Sequence, residues 1–339
     1  MGQMKSRKRS TSWTKLFERN MKTMTRMATA SSTRSRSRTS PLATPLALTP
    51  GGGTWTPGVA MGATGVRRYR IYRPPGIAFG EHLPMMVMLH GCGQDANRFA
   101  LSTRMNQLAA KERFLVLYPE QDRIANAQGC WNWFDTDNGR AYGEAALIMH
   151  AIDQACLLYA GDRSKVAVAG LSAGASMAAL LVARHPERFK AVVMHSGIPP
   201  GTAHSGLSAL GAMHGRRETP PLVAATWPPL LVVHGAADHV VSPQNGRAAA
   251  RVWAEAADAQ AGEERRVQRG QRHPMQVTDF KRRGRTVATL VAVDRLAHAW
   301  SGGAARQPYS DGQGPDASRM AWAFASRQFR TQKTPRPLD

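Results

Sequence analysis

The chain has 339 residues, with 45 Lys and Arg against 23 Asp and Glu, for a formal net charge of +22. That length allows one large domain or two small ones, with a core able to bury roughly three quarters of the unfolded surface. No apolar run approaches the roughly 18 residues of a membrane span. The three cysteines, Cys92, Cys130 and Cys156, are too few for a disulfide scaffold and wrongly spaced for zinc; no metal or cofactor is expected.

The charge is uneven. Between Lys5 and Arg38 there are eleven basic residues and one acid, Glu18, and a second basic block runs from Arg265 to Arg285. Such an excess favours anionic partners without specifying one. Residues 1–60 read as a separate tail. Ser31 to Ser40 is a Ser/Arg/Thr tract, and Pro41 to Gly58 is rich in Pro, Gly and Thr; neither composition buries enough apolar surface to fold. Inside the tail, Trp13, Leu16, Phe17, Met21, Met24 and Met27 fall close to helical spacing, with Lys15, Arg19, Lys22 and Arg26 on the other side. That is a basic amphipathic helix suited to an anionic membrane or granule surface; a solvated, partly helical tail is the alternative. Leu42 to Leu48 is interrupted by prolines and too short for the apolar stretch of a signal peptide.

Residues 61–332 carry a regular alternation. Strands are expected at Val66 to Arg73, Met85 to His90 and Phe114 to Tyr118, with a helix over Arg98 to Glu112. A long loop, Pro119 to Gly139, precedes a helix over Glu144 to Tyr159. The run Val166-Ala167-Val168-Ala169 reads as a strand and Met177 to Arg184 as a helix. Ala191 to His195 is a strand, Pro199 to Pro229 an irregular insert and candidate cap, and Leu230 to His234 a strand. Pro243 to Ala257 (helix), Thr286 to Val293 (strand) and Pro315 to Phe329 (helix) complete the series. Alternating strands and helices imply a mostly parallel sheet covered on both faces. The ligand crevice of such a sheet lies outside the carboxyl ends of its strands.

Gly170-Leu171-Ser172-Ala173-Gly174 falls between one such strand and helix. A G-x-S-x-G in that context is a nucleophile elbow, in which small residues let strand and helix nearly touch while the serine is lifted above the sheet. Serine needs a base, and the base an orienting carboxylate. On the α/β-hydrolase fold these follow in the order Ser, Asp or Glu, His. Asp238, just beyond the Leu230 strand, is preferred over Asp258, at a helix end, and Asp294, too near the histidine loop. His298 alone follows the last strand after Asp238, although His90, His195 and His234 also lie at strand ends and could line the cleft. The oxyanion donors expected are the N–H of Ala173 and, in the turn His90-Gly91-Cys92-Gly93-Gln94, that of Cys92.

Five motifs occur in order: Leu89-His90-Gly91-Cys92-Gly93-Gln94, Tyr118-Pro119-Glu120-Gln121, Gly129-Cys130-Trp131-Asn132-Trp133-Phe134, Gly170-Leu171-Ser172-Ala173-Gly174 and His298-Ala299-Trp300-Ser301-Gly302-Gly303. With them the chain resembles the polyhydroxybutyrate (PHB) depolymerase family of esterases, whose relatives include feruloyl and acetylxylan esterases, over about residues 64–330. The resemblance implies an α/β-hydrolase fold with a small cap and a triad of Ser172, Asp238 and His298. It also implies a Cys92–Cys130 disulfide tying the oxyanion turn to the Trp-rich loop, and with it an oxidising, extracellular or envelope location, with a cytoplasmic one as the alternative because no clear signal peptide is visible. His90, Trp131, Trp133 and Trp300 are then candidate substrate-binding residues. The implied substrate is a short-chain polyester or its oligomers, with a feruloyl or acetylxylan ester as the alternative. A serine peptidase on the same fold and an anionic-polymer binding protein are competing readings; no specific nucleic acid is expected, because the basic tracts lack interleaved aromatics.

Overall fold

The structure, a computed structural model, describes residues 48–221 and 227–330. The amphipathic segment Trp13 to Met27 and the Ser31 to Ser40 tract lie outside the described residues. In chain order the strands are β1 (Thr54–Gly62), β2 (Gly65–Arg73), β3 (Leu83–Leu89), β4 (Leu115–Pro119), β5 (Gly161–Leu171), β6 (Ala191–His195), β7 (Leu230–Gly235), β8 (Gln260–Ala261), β9 (Arg265–Val267), β10 (Met275–Arg282) and β11 (Arg285–Val293). The helices are α1 (Ala96–Thr103), α2 (Met105–Glu112), α3 (Arg140–Leu158), α4 (Ala173–Arg184), α5 (Gly206–Met213), α6 (Gln244–Ala256) and α7 (Ala317–Arg330).

Among the described residues these eleven strands form one sheet, ordered β1-β2-β4-β3-β5-β6-β7-β11-β10-β8, with β9 also paired to β10, and two short strands, Trp300–Ser301 and Ser310–Asp311, pair separately. From β4 to β11 neighbouring strands run parallel; the β1–β2 and β10–β11 hairpins add antiparallel margins. This is an α/β-hydrolase sheet. The period-two alternation of its central strands divides the core. Met85, Val87, Val168 and Val192 pack into one buried layer with α3, α4 and α6. Met86, Met88, Ala169 and Val193 pack into the other with α1, α2 and α7. Strands buried on both faces therefore read as continuous apolar runs. From β3 the chain crosses to β4 on one side and returns through α3 to β5 on the other. That reversal makes the carboxyl ends of β3 and β5 the switch point where a crevice opens.

The structure corrects four local expectations. Residues assigned to the tail begin to fold before residue 60, since β1 starts at Thr54 and pairs with β2 along its whole length. Pro57 is accommodated because β1 is an edge strand, and the Tyr69 ring occupies the space a side chain on Gly58 would need. The helix expected over Arg98 to Glu112 is two helices, broken where Arg104 adopts φ 57°. There Thr103 Oγ1 donates to the Phe99 carbonyl, 2.8 Å, and accepts from the Met105 N–H, 3.3 Å, so a side chain competes for the helical ladder. Inside the Pro199–Pro229 insert, α5 starts on a capping box formed by Ser205 and Ser208. The basic block is strand β10 and its hairpin. Arg283 and Gly284, both at positive φ, make its turn, and the cationic tip masks the alternation. Among the described residues no helix is long and apolar enough to cross a membrane.

Candidate active site

Ser172 sits between β5 and α4 at φ 57° and ψ −122°, a conformation L-residues rarely adopt and one that stores strain. The neighbours explain how it is held. A Cβ on Gly170 would lie 2.3 Å from the Gly174 carbonyl carbon, and one on Gly174 would lie 2.1 Å from the Leu89 carbonyl oxygen. Only glycine fits either position, so β3, β5 and α4 meet backbone to backbone. The Ser172 N–H donates to the His195 carbonyl, 2.9 Å, which ties the elbow to the end of β6.

The carboxylate and imidazole stand on adjacent loops. Asp238 Oδ2 accepts from His298 Nδ1–H at 2.8 Å. Its Oδ1 accepts from the N–H groups of Val240, 3.0 Å, and Val241, 2.9 Å. These bonds fix the carboxylate and make Nδ1 the protonated ring nitrogen, leaving Nε2 as a base. The loops themselves are pinned together. The Ala237 N–H donates to the Leu296 carbonyl, 3.0 Å, and a Cβ on Gly235 would lie 2.2 Å from that same oxygen. Burial pushes the Asp238 pKa up, but the charge and hydrogen bond of His298, the nearby His234 and the Val241 N–H outweigh it and hold it well below the usual carboxylate range. His298 Nε2 and Ser172 Oγ make no hydrogen bond to any described residue. Such catalytic contacts commonly close only with substrate present.

The turn after β3 supplies the other half of the site. The Gly91 N–H donates to Gln94 Oε1, 3.0 Å. The Gly93 N–H goes to the Gln128 carbonyl, 2.9 Å, and that of Gln94 to the Gly91 carbonyl, 3.2 Å. Between these committed groups the Cys92 N–H has no partner among the described residues, and neither has the Ala173 N–H. Both residues line the small cavity at Ser172. Two free donors beside a nucleophile are what a developing oxyanion requires.

The Cys92–Cys130 disulfide is formed, and Cys156 is free and buried. The loop beyond Cys130 is also anchored from below. Buried Glu144 accepts from Gln121 Nε2, 2.6 Å, and from the N–H and Nδ2 of Asn132, 2.9 and 2.6 Å. Gln121 also donates to the Cys130 carbonyl, 2.9 Å, and accepts from Arg67, whose guanidinium lies over the Trp131 ring, 5.1 Å from its centre. Neither Arg67 nor Glu144 was legible as part of the site. Glu144's only sequence signal is a charge within an otherwise apolar stretch of helix, and Arg67 is one of four arginines in β2, with nothing in the sequence to set it apart.

The four expected substrate-binding residues divide. Trp131 and Trp133 line the Ser172 cavity with Phe134, Ile198 and, from the cap helix, Ala209 and Met213. Trp300 is not a cleft wall. It is fully buried, donates through Nε1 to Ser318 Oγ, 3.1 Å, and packs between Phe99 and His195. His90 is not one either, because it lies under the oxyanion turn. Its Nε2 accepts the Gln121 N–H, 3.1 Å, its Nδ1–H donates to the Gly91 carbonyl, 2.9 Å, and its own carbonyl accepts from Trp131 Nε1, 3.0 Å. His195 accepts the Ser301 N–H on Nε2, 3.0 Å, which braces the loop that carries His298.

The sequence model of the family described as esterase PHB depolymerase matches residues 67–264. Poly(3-hydroxyalkanoate) depolymerase C of Paucimonas lemoignei is 34% identical over 179 residues, 48% of this chain and 42% of that protein. Feruloyl esterase B of Thermothelomyces thermophilus is 26% identical over 193 residues, 50% of this chain and 64% of that one. The chain thus spans about half the length of the curated relatives it matches. Among solved structures, the acetyl xylan esterase from Aspergillus awamori superposes with a TM-score of 0.59 at 20% identity, covering 73% of this chain and 94% of that one; at that identity the likeness is one of fold.

Two expectations follow from this geometry. Gly235→Ala forces apart the loops that carry Asp238 and His298; a folded variant should lose at least roughly tenfold in any Ser172-dependent activity, by analogy with the cost of small misplacements near a reacting centre. A variant with unchanged rates would show that the close approach is dispensable. The second concerns pH. Burial depresses His90 to about 4, with its Gly91 contact opposing, and depresses His195 to about 3, with the charges of His234 and His298 adding to it. Because both folded values lie below the unfolded one of roughly 6.5, the unfolded chain takes up protons first as pH falls. The stability carried by the neutral rings is intact above about pH 6.5 and drains away toward the acid side, by about 1.4 kcal/mol per unit of separation for each ring. Thermal midpoints at constant ionic strength should therefore fall steeply between about pH 6.5 and 4, and a flat profile there would contradict the assignment.

Proposed function

The chain belongs to the esterase PHB depolymerase family, and from that premise we propose that it is a serine esterase acting through an acyl-enzyme on short-chain polyhydroxyalkanoate polymer or its oligomers. The observation that carries the reading is the buried Asp238–His298 hydrogen bond, taken together with the strained Ser172 and the unpartnered N–H groups of Cys92 and Ala173 that line its cavity. Ser172 Oγ attacks the ester carbonyl while His298 Nε2 takes its proton. The tetrahedral oxyanion is held by the two N–H groups, and Asp238 stabilises the imidazolium. His298 then protonates the leaving alcohol. Water, activated by the same ring, hydrolyses the acyl-enzyme and returns the serine.

The cavity at Ser172 supports a short acyl unit. Its lining includes the disulfide, Ile198, Met213 and Val241 and no charged side chain, so apolar contact rather than charge would recognise the acyl group. Its aromatic walls, Trp131, Trp133 and Phe134, also favour a second reading, a feruloyl or acetylxylan-type carbohydrate esterase. The disulfide supports an oxidising compartment, extracellular or in the cell envelope. The basic N-terminal segment, with its amphipathic spacing, is proposed as a docking element for an anionic granule or membrane surface.

Ser172→Ala and Asp238→Asn should each lower hydrolysis of p-nitrophenyl butyrate by about 10⁴-fold, with folding intact by circular dichroism. Retained activity in either folded variant would exclude the mechanism. The purified enzyme should also release 3-hydroxybutyrate from PHB oligomers faster than it cleaves methyl ferulate or acetylated xylan; the reverse ranking would establish the carbohydrate reading instead.

A further inference from the structure

Beside α7, in a cavity of about 310 Å³ that shares no lining residue with the one at Ser172, four arginines converge: Arg104, Arg269, Arg272 and Arg319. A single carboxylate, Asp316, shares that lining. It lies 3.5 Å from Arg319 Nε, so most of the positive charge in the cavity is uncompensated. Two of the arginines are held in place by the backbone. Arg104, in its left-handed conformation, donates to the Gly302 carbonyl, and Arg272 donates to the Gly314 carbonyl, 2.6 Å. Each uses part of its five-donor fork there and keeps N–H groups to spare. The Arg269 side chain has no ion pair or hydrogen bond among the described residues. Like charges brought together cost free energy unless an anion joins them, and guanidinium forks match the oxygens of a phosphoryl group in pairs.

The geometry points to this cavity as a binding site for a dianionic phosphoryl group, a ligand separate from the ester that Ser172 is proposed to attack. Prefixed guanidinium groups reduce the ordering cost of binding. The cavity opens into a larger groove of about 1270 Å³ over β10 and β11, with which it shares Arg269, Met275, Arg319 and Met320. The floor of that groove includes Val277 and Val291, so the phosphoryl group can be free phosphate or the head of a phosphomonoester whose chain lies along the groove.

The test is isothermal titration of the full chain at constant ionic strength with inorganic phosphate and, separately, n-butyl phosphate. Saturable binding of either is expected. Tighter binding of butyl phosphate assigns the site to a phosphomonoester, and tighter binding of phosphate assigns it to the free anion. The double variant Arg269→Ala with Arg319→Ala removes two exposed side chains that brace no backbone group. It should weaken binding at least roughly tenfold, with an unchanged thermal midpoint. Arg282→Ala with Arg285→Ala makes the same change in net charge on the far rim of the groove and should alter affinity less than about twofold. Absence of saturable binding for both ligands, undiminished affinity in the first variant, or an equal loss in the second would overturn the site.

Discussion

Everything at the active site depends on the backbone contact between β3, β5 and α4. Gly174 is pressed against the Leu89 and His90 carbonyls, and Gly170 against Gly174. This one approach sets three positions together. It lifts Ser172 into its strained turn, sets the Ala173 N–H beneath it, and fixes where β3 delivers the His90–Gln94 turn. The strain at Ser172 is local, whereas the core that over-determines it is not: β3, β5 and β6 are buried on both faces. A rigid sheet can therefore hold an unfavourable dihedral that a loop would relax.

The electrostatics are arranged around one buried negative charge. Asp238 is surrounded by His298, by His234 at 3.5 Å and, within electrostatic reach, by His195. Only His298 forms its direct short bond. His234 commits Nε2–H to the Val241 carbonyl at 3.0 Å, and its Nδ1 is left without a partner. His195 is occupied by the Ser301 N–H. Histidines that look interchangeable by position are thus divided by their second contacts. The ones that spend a ring nitrogen on the backbone are held neutral by burial, and the one that does not is the ring to which the proposed mechanism gives the proton transfer.

That division explains which parts of the site were legible in the sequence. The strand-end positions of Ser172, Asp238 and His298, and the pairing of the last two, follow from order along the chain, because loop order at the strand ends is a one-dimensional fact. The small residues of the elbow follow from a steric rule, since a Cβ at Gly170 or Gly174 would lie within 2.3 or 2.1 Å of backbone atoms. The fate of Trp300 and His90 does not follow, since each belongs to a layer beneath the cleft decided by packing against Phe99, Ser318 or Gln121, far away in sequence. Strand β1 was hidden by Pro57 and two nearby glycines, which an edge position tolerates, and β10 by the arginines of its turn. In both cases the local composition reflects exposure to solvent at a sheet margin, which resembles the composition of a segment that does not fold.

The support beneath the oxyanion turn has an energetic logic of its own. Burying Arg67 and Glu144 is costly on its face, and desolvation lowers the arginine's pKa accordingly. An isolated buried charge would be untenable, but the two are spread over neutral partners: Arg67 over the Gln121 amide and the Glu120 carbonyl, Glu144 over the Gln121 amide and the side chain and N–H of Asn132. Replacing such a network with apolar residues can leave stability unchanged, so stability alone does not explain it. What an apolar replacement would not reproduce is direction. The Gln121 amide joins Arg67 to Glu144 and holds the Cys130 carbonyl, and Trp131 bonds the carbonyl of His90. The disulfide closes the loop covalently at one point, and the polar network fixes its orientation at several others. Together they fix the turn that carries the Cys92 N–H, as its proposed role requires, because an oxyanion donor is effective only when it is already in place as the charge develops.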